Sequence, residues 1–129
     1  MVRLSRPRAL RTAVLATLLA AFVAACGTPV ALRTEQARAS DCDLALLGGE
    51  LVTSAQSGLA VRGPDGTTEV IWPFGYTATR EATGIILRDD TGKIVAHEGQ
   101  RVTLGGGGDA NGLWRACAGT VQEVSNTGG

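Results

Sequence analysis

Histidine, aromatics and basic charge are all scarce in this chain. His97 is the only histidine, the aromatics number five, and there are three cysteines in 129 residues. A structural zinc site draws on a full tetrahedral set of His or thiolate ligands, which one histidine does not begin to supply. The formal charges balance at 12 basic and 12 acidic residues. Four of the basic residues, Arg3, Arg6, Arg8 and Arg11, precede residue 26, and no acid does. The remainder therefore holds 8 basic and 12 acidic residues, a net charge near −4. That leaves no electrostatic footprint for nucleic acid, and no such partner is expected.

Long apolar runs are missing too. Residues 12–25 are uncharged and mostly apolar, but at about 1.5 Å per helical residue they fall short of a core of roughly 30 Å. A basic start, a short apolar stretch and a small-residue exit make a secretory signal. No two arginines in it are adjacent, so the twin-Arg export signal is absent and export of an unfolded chain is expected.

The signal ends at Val23-Ala24-Ala25-Cys26. This stretch resembles the lipobox of bacterial lipoproteins: an aliphatic residue, two small residues and a cysteine. The competing reading is an ordinary A-x-A-like cleavage site with a chance thiol beside it. By the resemblance, the Cys26 sulfur receives a diacylglyceryl group and cleavage leaves Cys26 as the first residue. A single acyl chain binds a bilayer only marginally, at about 0.8 kcal/mol per buried CH₂, so more than one is needed for a stable anchor. The expected location is the extracytoplasmic face of the cell membrane. Gly27, not Asp, follows the cysteine, so there is no inner-membrane retention signal of the enterobacterial kind.

Cys42 and Cys117 remain. They are an even number outside the cytosol and are expected to pair. A loop of that length corresponds to about 4–5 kcal/mol on chain-entropy grounds. Two free buried thiols are the alternative.

Residues 27–40 show no sustained periodicity and read as a flexible tether, reaching on the order of 20 Å as a coil. The domain is expected over 41–124, with 125–129 a disordered tail. All 18 glycines lie beyond residue 25, which favours turns and strands over helices. Leu44-Ala45-Leu46-Leu47 is an apolar run stopped by Gly48-Gly49. Strands are expected at 50–53, 59–62 and 67–72, the last two joined by Gly63-Pro64-Asp65-Gly66, where Pro presets φ for a turn. Pro73 ends the third. The clearest hairpin joins 84–88 to 93–98 through Asp89-Asp90-Thr91-Gly92. Residues 101–104 alternate, 105–112 read as a flexible loop, 113–118 as a strand carrying Cys117, and 120–124 as a further segment.

The fold class is all-β: five to seven short strands in a small antiparallel, partly open barrel. Trp72-Pro73-Phe74-Gly75-Tyr76, then Gly99-Gln100-Arg101-Val102, then the glycine-rich stretch, resemble small lipoproteins of high-GC Gram-positive bacteria. The resemblance covers most of 41–120. It implies an OB-like barrel and brings no assigned activity.

Candidate chemistry is sparse. Asp90-Thr91-Gly92 matches the aspartic-protease tripeptide, but that reaction needs two such carboxylates and the chain has one, so it reads as a turn. Gly105-Gly106-Gly107-Gly108 lacks the following helix and the Gly-Lys-Ser/Thr of phosphate loops. Asp109-Ala110-Asn111-Gly112 has two oxygen ligands at calcium spacing without the rest of the set. No metal or other cofactor is expected. Trp72, Phe74 and Tyr76 cluster within five residues, and Trp114 can join them. Exposed aromatics on an OB-like barrel form a platform for sugars or bases; buried, they fill a small core. Trp72 is expected inside with Val70, and Tyr76 outside. Tyr76, Phe74 and Trp114 are the candidate ligand contacts. The expected function is a non-catalytic, lipid-anchored binding or structural module, with the membrane, and an envelope glycan or another envelope protein, as partners. The alternative is a small envelope hydrolase using His97 with a nearby acid such as Asp89 or Asp90.

Overall fold

The computed structural model describes residues 27–125. The expected signal peptide, the lipobox Cys26 and the last four residues lie outside the described residues. Ten strands and no helix are present among those described. In order they are β1 (Thr28–Val30), β2 (Ala45–Ser54), β3 (Gly58–Gly63), β4 (Gly66–Ile71), β5 (Thr77–Glu81), β6 (Gly84–Arg88), β7 (Ile94–His97), β8 (Arg101–Gly108), β9 (Trp114–Ala116) and β10 (Gln122–Glu123).

Five of them close a barrel. β8, β2, β3, β4 and β9 are hydrogen-bonded in that order, and β9 pairs back onto β8. The expected barrel was antiparallel and partly open; this one is closed, and its β4–β9 seam is parallel, Val70 opposite Trp114 and Ile71 opposite Arg115. A parallel pair needs a crossover rather than a hairpin, and residues 72–113 supply it. The arrangement is OB-like. A second sheet, β1-β5-β6-β7, takes β5 to β7 from the chain between β4 and β8 and β1 from the segment before the barrel.

Alternation builds one core from both sheets. Leu59 and Val61 on β3, Val70 on β4, Val102 and Leu104 on β8, and Ile85 and Leu87 on β6 point inward at period two. Trp72 is fully buried among them and donates from Nε1 to Leu59 O at 3.0 Å. Pro73 ends the strand just beyond, as expected. The backbone of Trp72 is then held by the N-terminal segment: Trp72 N donates to Arg33 O and Glu35 N donates to Trp72 O, both at 2.9 Å.

That contact corrects the tether. Within 27–40, β1 pairs with β5, Arg33 N donates to Ser57 O and Thr34 bridges Trp72. Val30 and Leu32 pack against the core, but the stretch is held chiefly through its backbone, and two inward side chains are too short an alternation to read as a strand.

The glycine-rich loop is also corrected. Gly105 to Gly108 form the second half of β8. A Cβ on Gly106, which has φ +153°, would lie 2.6 Å from Trp114 Nε1, and one on Gly107 would lie 2.5 Å from Asp43 Oδ2. At Gly106 and Gly107 neighbours lie directly on the strand, and the positive φ of Gly106 favours glycine as well. Likewise β2 runs through Gly48-Gly49 without stopping; a Cβ on Gly49 would meet Val61 Cγ1 at 2.8 Å.

Cys42 and Cys117 form a disulfide with Cα atoms 5.8 Å apart. It does not join paired strands: β2 and β9 lie on opposite edges of β8, and the bond bridges over it.

Trp72→Ala removes a fully buried indole and its hydrogen bond. Equilibrium denaturation should show a loss of about 3–5 kcal/mol; a domain as stable as wild type would contradict the burial. Reducing the 75-residue loop's disulfide should cost about 4–5 kcal/mol on the chain-entropy estimate, and intact mass with and without reduction before alkylation should show a single bridge.

Candidate functional site

The turn between β4 and β5 divides the aromatic cluster. Pro73 is buried, Tyr76 N donates to Pro73 O at 3.2 Å, and Gly75 takes φ +81°. Trp72 and Tyr76 fall on the inner side of this turn, and Phe74, 40% exposed, on the outer. Tyr76 therefore differs from expectation: it is 4% exposed. Its ring continues the inward face of Ala78, and its Oη accepts from Gly119 N at 3.2 Å. The polar tip that argued for exposure is satisfied by the loop after β9.

Phe74 borders a groove of about 750 Å³ between the 35–43 segment and the end of β9. Cys42 and Cys117 line it as well. The Arg38 guanidinium lies 5.6 Å from the centre of the Phe74 ring, within cation–π range, and is fixed from the other side by Asp90 at 2.7 Å. Across the groove, Arg115 bonds Glu35 through Nε and Nη2 at 2.7 and 2.6 Å. The hydrogen bond and charge of Glu35 raise the Arg115 pKa, with Asp109 and Asp41 adding to the effect. Asp41 and Asp43 complete the polar lining. The groove thus presents one exposed aromatic face among charges of both signs, with both guanidinium groups paired.

Trp114, the third candidate contact, is half-buried against the core and does not line this groove. Its Nε1 is buried without a hydrogen-bond partner, pressed towards Gly106. Of the three candidate ligand contacts, only Phe74 is exposed. The face of β3 and β4, the second and third strands of the barrel, is where OB-like barrels take extended ligands; neither strand contains an aromatic, and Arg62 on β3 is paired with Glu50 at 2.6 Å.

The remaining candidates resolve locally. Asp89 Oδ1 accepts from Thr91 N, Thr91 Oγ1 and Lys93 N, so Asp89-Asp90-Thr91-Gly92 is a turn held by its own first carboxylate. The Thr91 hydroxyl is the main reason that the Asp89 pKa is lowered. Asp109 Oδ1 does the same for Asn111 N and Leu113 N, which occupies an oxygen that a cation would need. His97 meets neither Asp89 nor Asp90. Its Nδ1 lies 2.5 Å from Glu123 Oε1, both side chains are partly exposed, and neither lines the groove. Nothing in the local sequence links β7 to β10, so that pair was not foreseeable.

Set against known proteins, the chain matches no protein-family model, no curated protein and no solved structure.

Tyr76 is the chain's only tyrosine, so absorbance reads its titration directly. Burial raises its pKa, and the charges of Asp89 and Asp90 add to this against the Gly119 hydrogen bond. A raised folded pKa favours the neutral phenol, so this contribution to stability is complete below the unfolded value of about 10 and is lost as pH climbs through the folded one. The folded titration midpoint should lie above that of the denatured chain. Coincident midpoints would place Tyr76 in water.

Proposed function

We propose that the protein is a lipid-anchored module of the cell envelope that binds an envelope glycan in the groove beside Phe74 and performs no chemistry on it. The anchor rests on Val23-Ala24-Ala25-Cys26 and its resemblance to the lipobox. The binding reading rests on one observation: Phe74, alone among the described aromatics, is set outward, and it is set beside Arg38 at the rim of a groove.

A sugar ring offers an apolar C–H face and a rim of hydroxyls. Phe74 suits the first. The carboxylates of Glu35, Asp41 and Asp43 and the guanidinium groups of Arg38 and Arg115 suit the second, since charged partners make stronger hydrogen bonds than neutral ones. Both guanidinium groups are already paired, with Asp90 and Glu35, and Asp41 and Asp43 leave the lining net acidic, so an uncharged ligand fits better than an anionic one. A base-stacking role fits less well, because a net charge near −4 over residues 26–129 repels a phosphate backbone. The hydrolase reading would centre on His97 and Glu123, which stand away from the groove.

Two experiments test the two halves. Cys26→Ala should abolish lipidation and move the protein out of the detergent phase; a variant that still partitions like wild type would end the lipobox reading. Phe74→Ala should leave the denaturation midpoint nearly unchanged while weakening binding of purified envelope glycan fragments about tenfold, the equivalent of about 1.4 kcal/mol. Unaltered affinity would remove the groove from the account.

A further inference from the structure

The docked N-terminal segment changes how a lipid on Cys26 would hold the domain. A coil of 14 residues would give a stand-off on the order of 20 Å and no fixed orientation. Instead β1 begins at Thr28, paired with Arg80 of β5. Gly27 is already seated: a Cβ there would lie 2.9 Å from Arg80 O and 2.6 Å from Glu81 Cδ. One residue's reach, about 3.8 Å, therefore separates the Cα of Cys26 from the folded domain.

The point of attachment is also defined. β5 and β6 form a hairpin in which Glu81 opposes Gly84, leaving Ala82 and Thr83 exposed at its tip. Gly27 sits beside this tip. At about 3.3 Å per residue, the four steps from Arg80 back to Tyr76 carry the chain roughly 13 Å away, towards Phe74. β6 runs a similar distance to the Asp89-Asp90-Thr91-Gly92 turn, where Asp90 holds Arg38. The anchor and the groove occupy opposite ends of one sheet.

We infer that the β5–β6 tip is the bilayer-facing surface of this protein, and that Cys26 holds the domain flush on the headgroups with the groove directed away from them. This rests on the lipid-anchor reading above. The occupant of the surface is the headgroup layer, chosen by the length of chain between Cys26 and β1. The tip brings little of its own: Ala82 and Thr83 are small, and Arg80 is offset by Glu81. The acyl chains supply the affinity, and the short connection supplies the orientation. A groove so directed is open to a polymer lying beyond the membrane.

The test uses the acylated protein on phosphatidylcholine vesicles that contain a lipid with a nitroxide on its headgroup. A fluorophore is placed on Ala82→Cys or on Lys93→Cys, both exposed and at opposite ends of the sheet. The label at position 82 should be quenched several-fold more than that at 93. A Gly-Ser insertion of about eight residues after Cys26, adding roughly 15 Å of reach, should bring the two towards equality. Equal quenching in the acylated protein without the insertion would overturn the orientation and leave the anchor standing. Intact mass lacking an acyl group on Cys26 would overturn both.

Discussion

Pro73 cannot donate a ladder hydrogen bond, so β4 has to end at Trp72, and the fold depends on what receives that end. The indole is buried and tied to β3 through Leu59 O. The backbone on either side of it is tied to Arg33 and Glu35. Barrel strands and N-terminal segment thus meet at one residue. A buried backbone group left without a partner costs on the order of a kilocalorie or more, so the segment is not an optional covering. It completes a strand that proline interrupts. From that junction the chain turns out to Phe74 and back in to Tyr76, which places one aromatic at the groove and two in the core.

Glycine and the disulfide play a second, complementary part. β8 pairs with β2 on one edge and with β9 and β10 on the other, and its glycine half admits Asp43 and Trp114 at distances no side chain would permit. The Cys42–Cys117 bond crosses the same strand end and fixes the 41–44 segment on it. The groove owes its shape to this crossing, since both cysteines line it. A rigid wall behind Phe74 and Arg38 lowers the ordering cost of binding, which is the usual advantage of a preformed site.

Several of these features were legible in the sequence. Asp89-Asp90-Thr91-Gly92 between aliphatic runs announced its hairpin, Gly63-Pro64-Asp65-Gly66 announced another, and the cysteine count announced the disulfide. Trp72 could be placed inside from its alternation with Val70. Other features could not be read, for physical reasons. β5 is Thr-Ala-Thr-Arg-Glu, with a single small residue, Ala78, facing the core, so its periodicity is nearly silent. The 28–35 segment is held mainly through backbone atoms and sets only Val30 and Leu32 against the core, too short an alternation to read. The glycines of β8 have the composition of a loop, but here they mark close approach. Tyr76 has a polar tip whose partner, Gly119 N, lies 43 residues away, and the His97–Glu123 contact depends on the pairing of β10 with β8, which no local pattern announces.

The central claim is that residues 28–35 belong to the folded domain through Trp72. Native-state hydrogen exchange on residues 27–129 tests it most directly. The amides of Trp72 and Glu35, which donate to and from one another's segments, should be protected to a similar degree, and both well above the amides of exposed turns such as that at Gly92. A Glu35 amide that exchanges as fast as an unstructured peptide would contradict the account and return the segment to a tether.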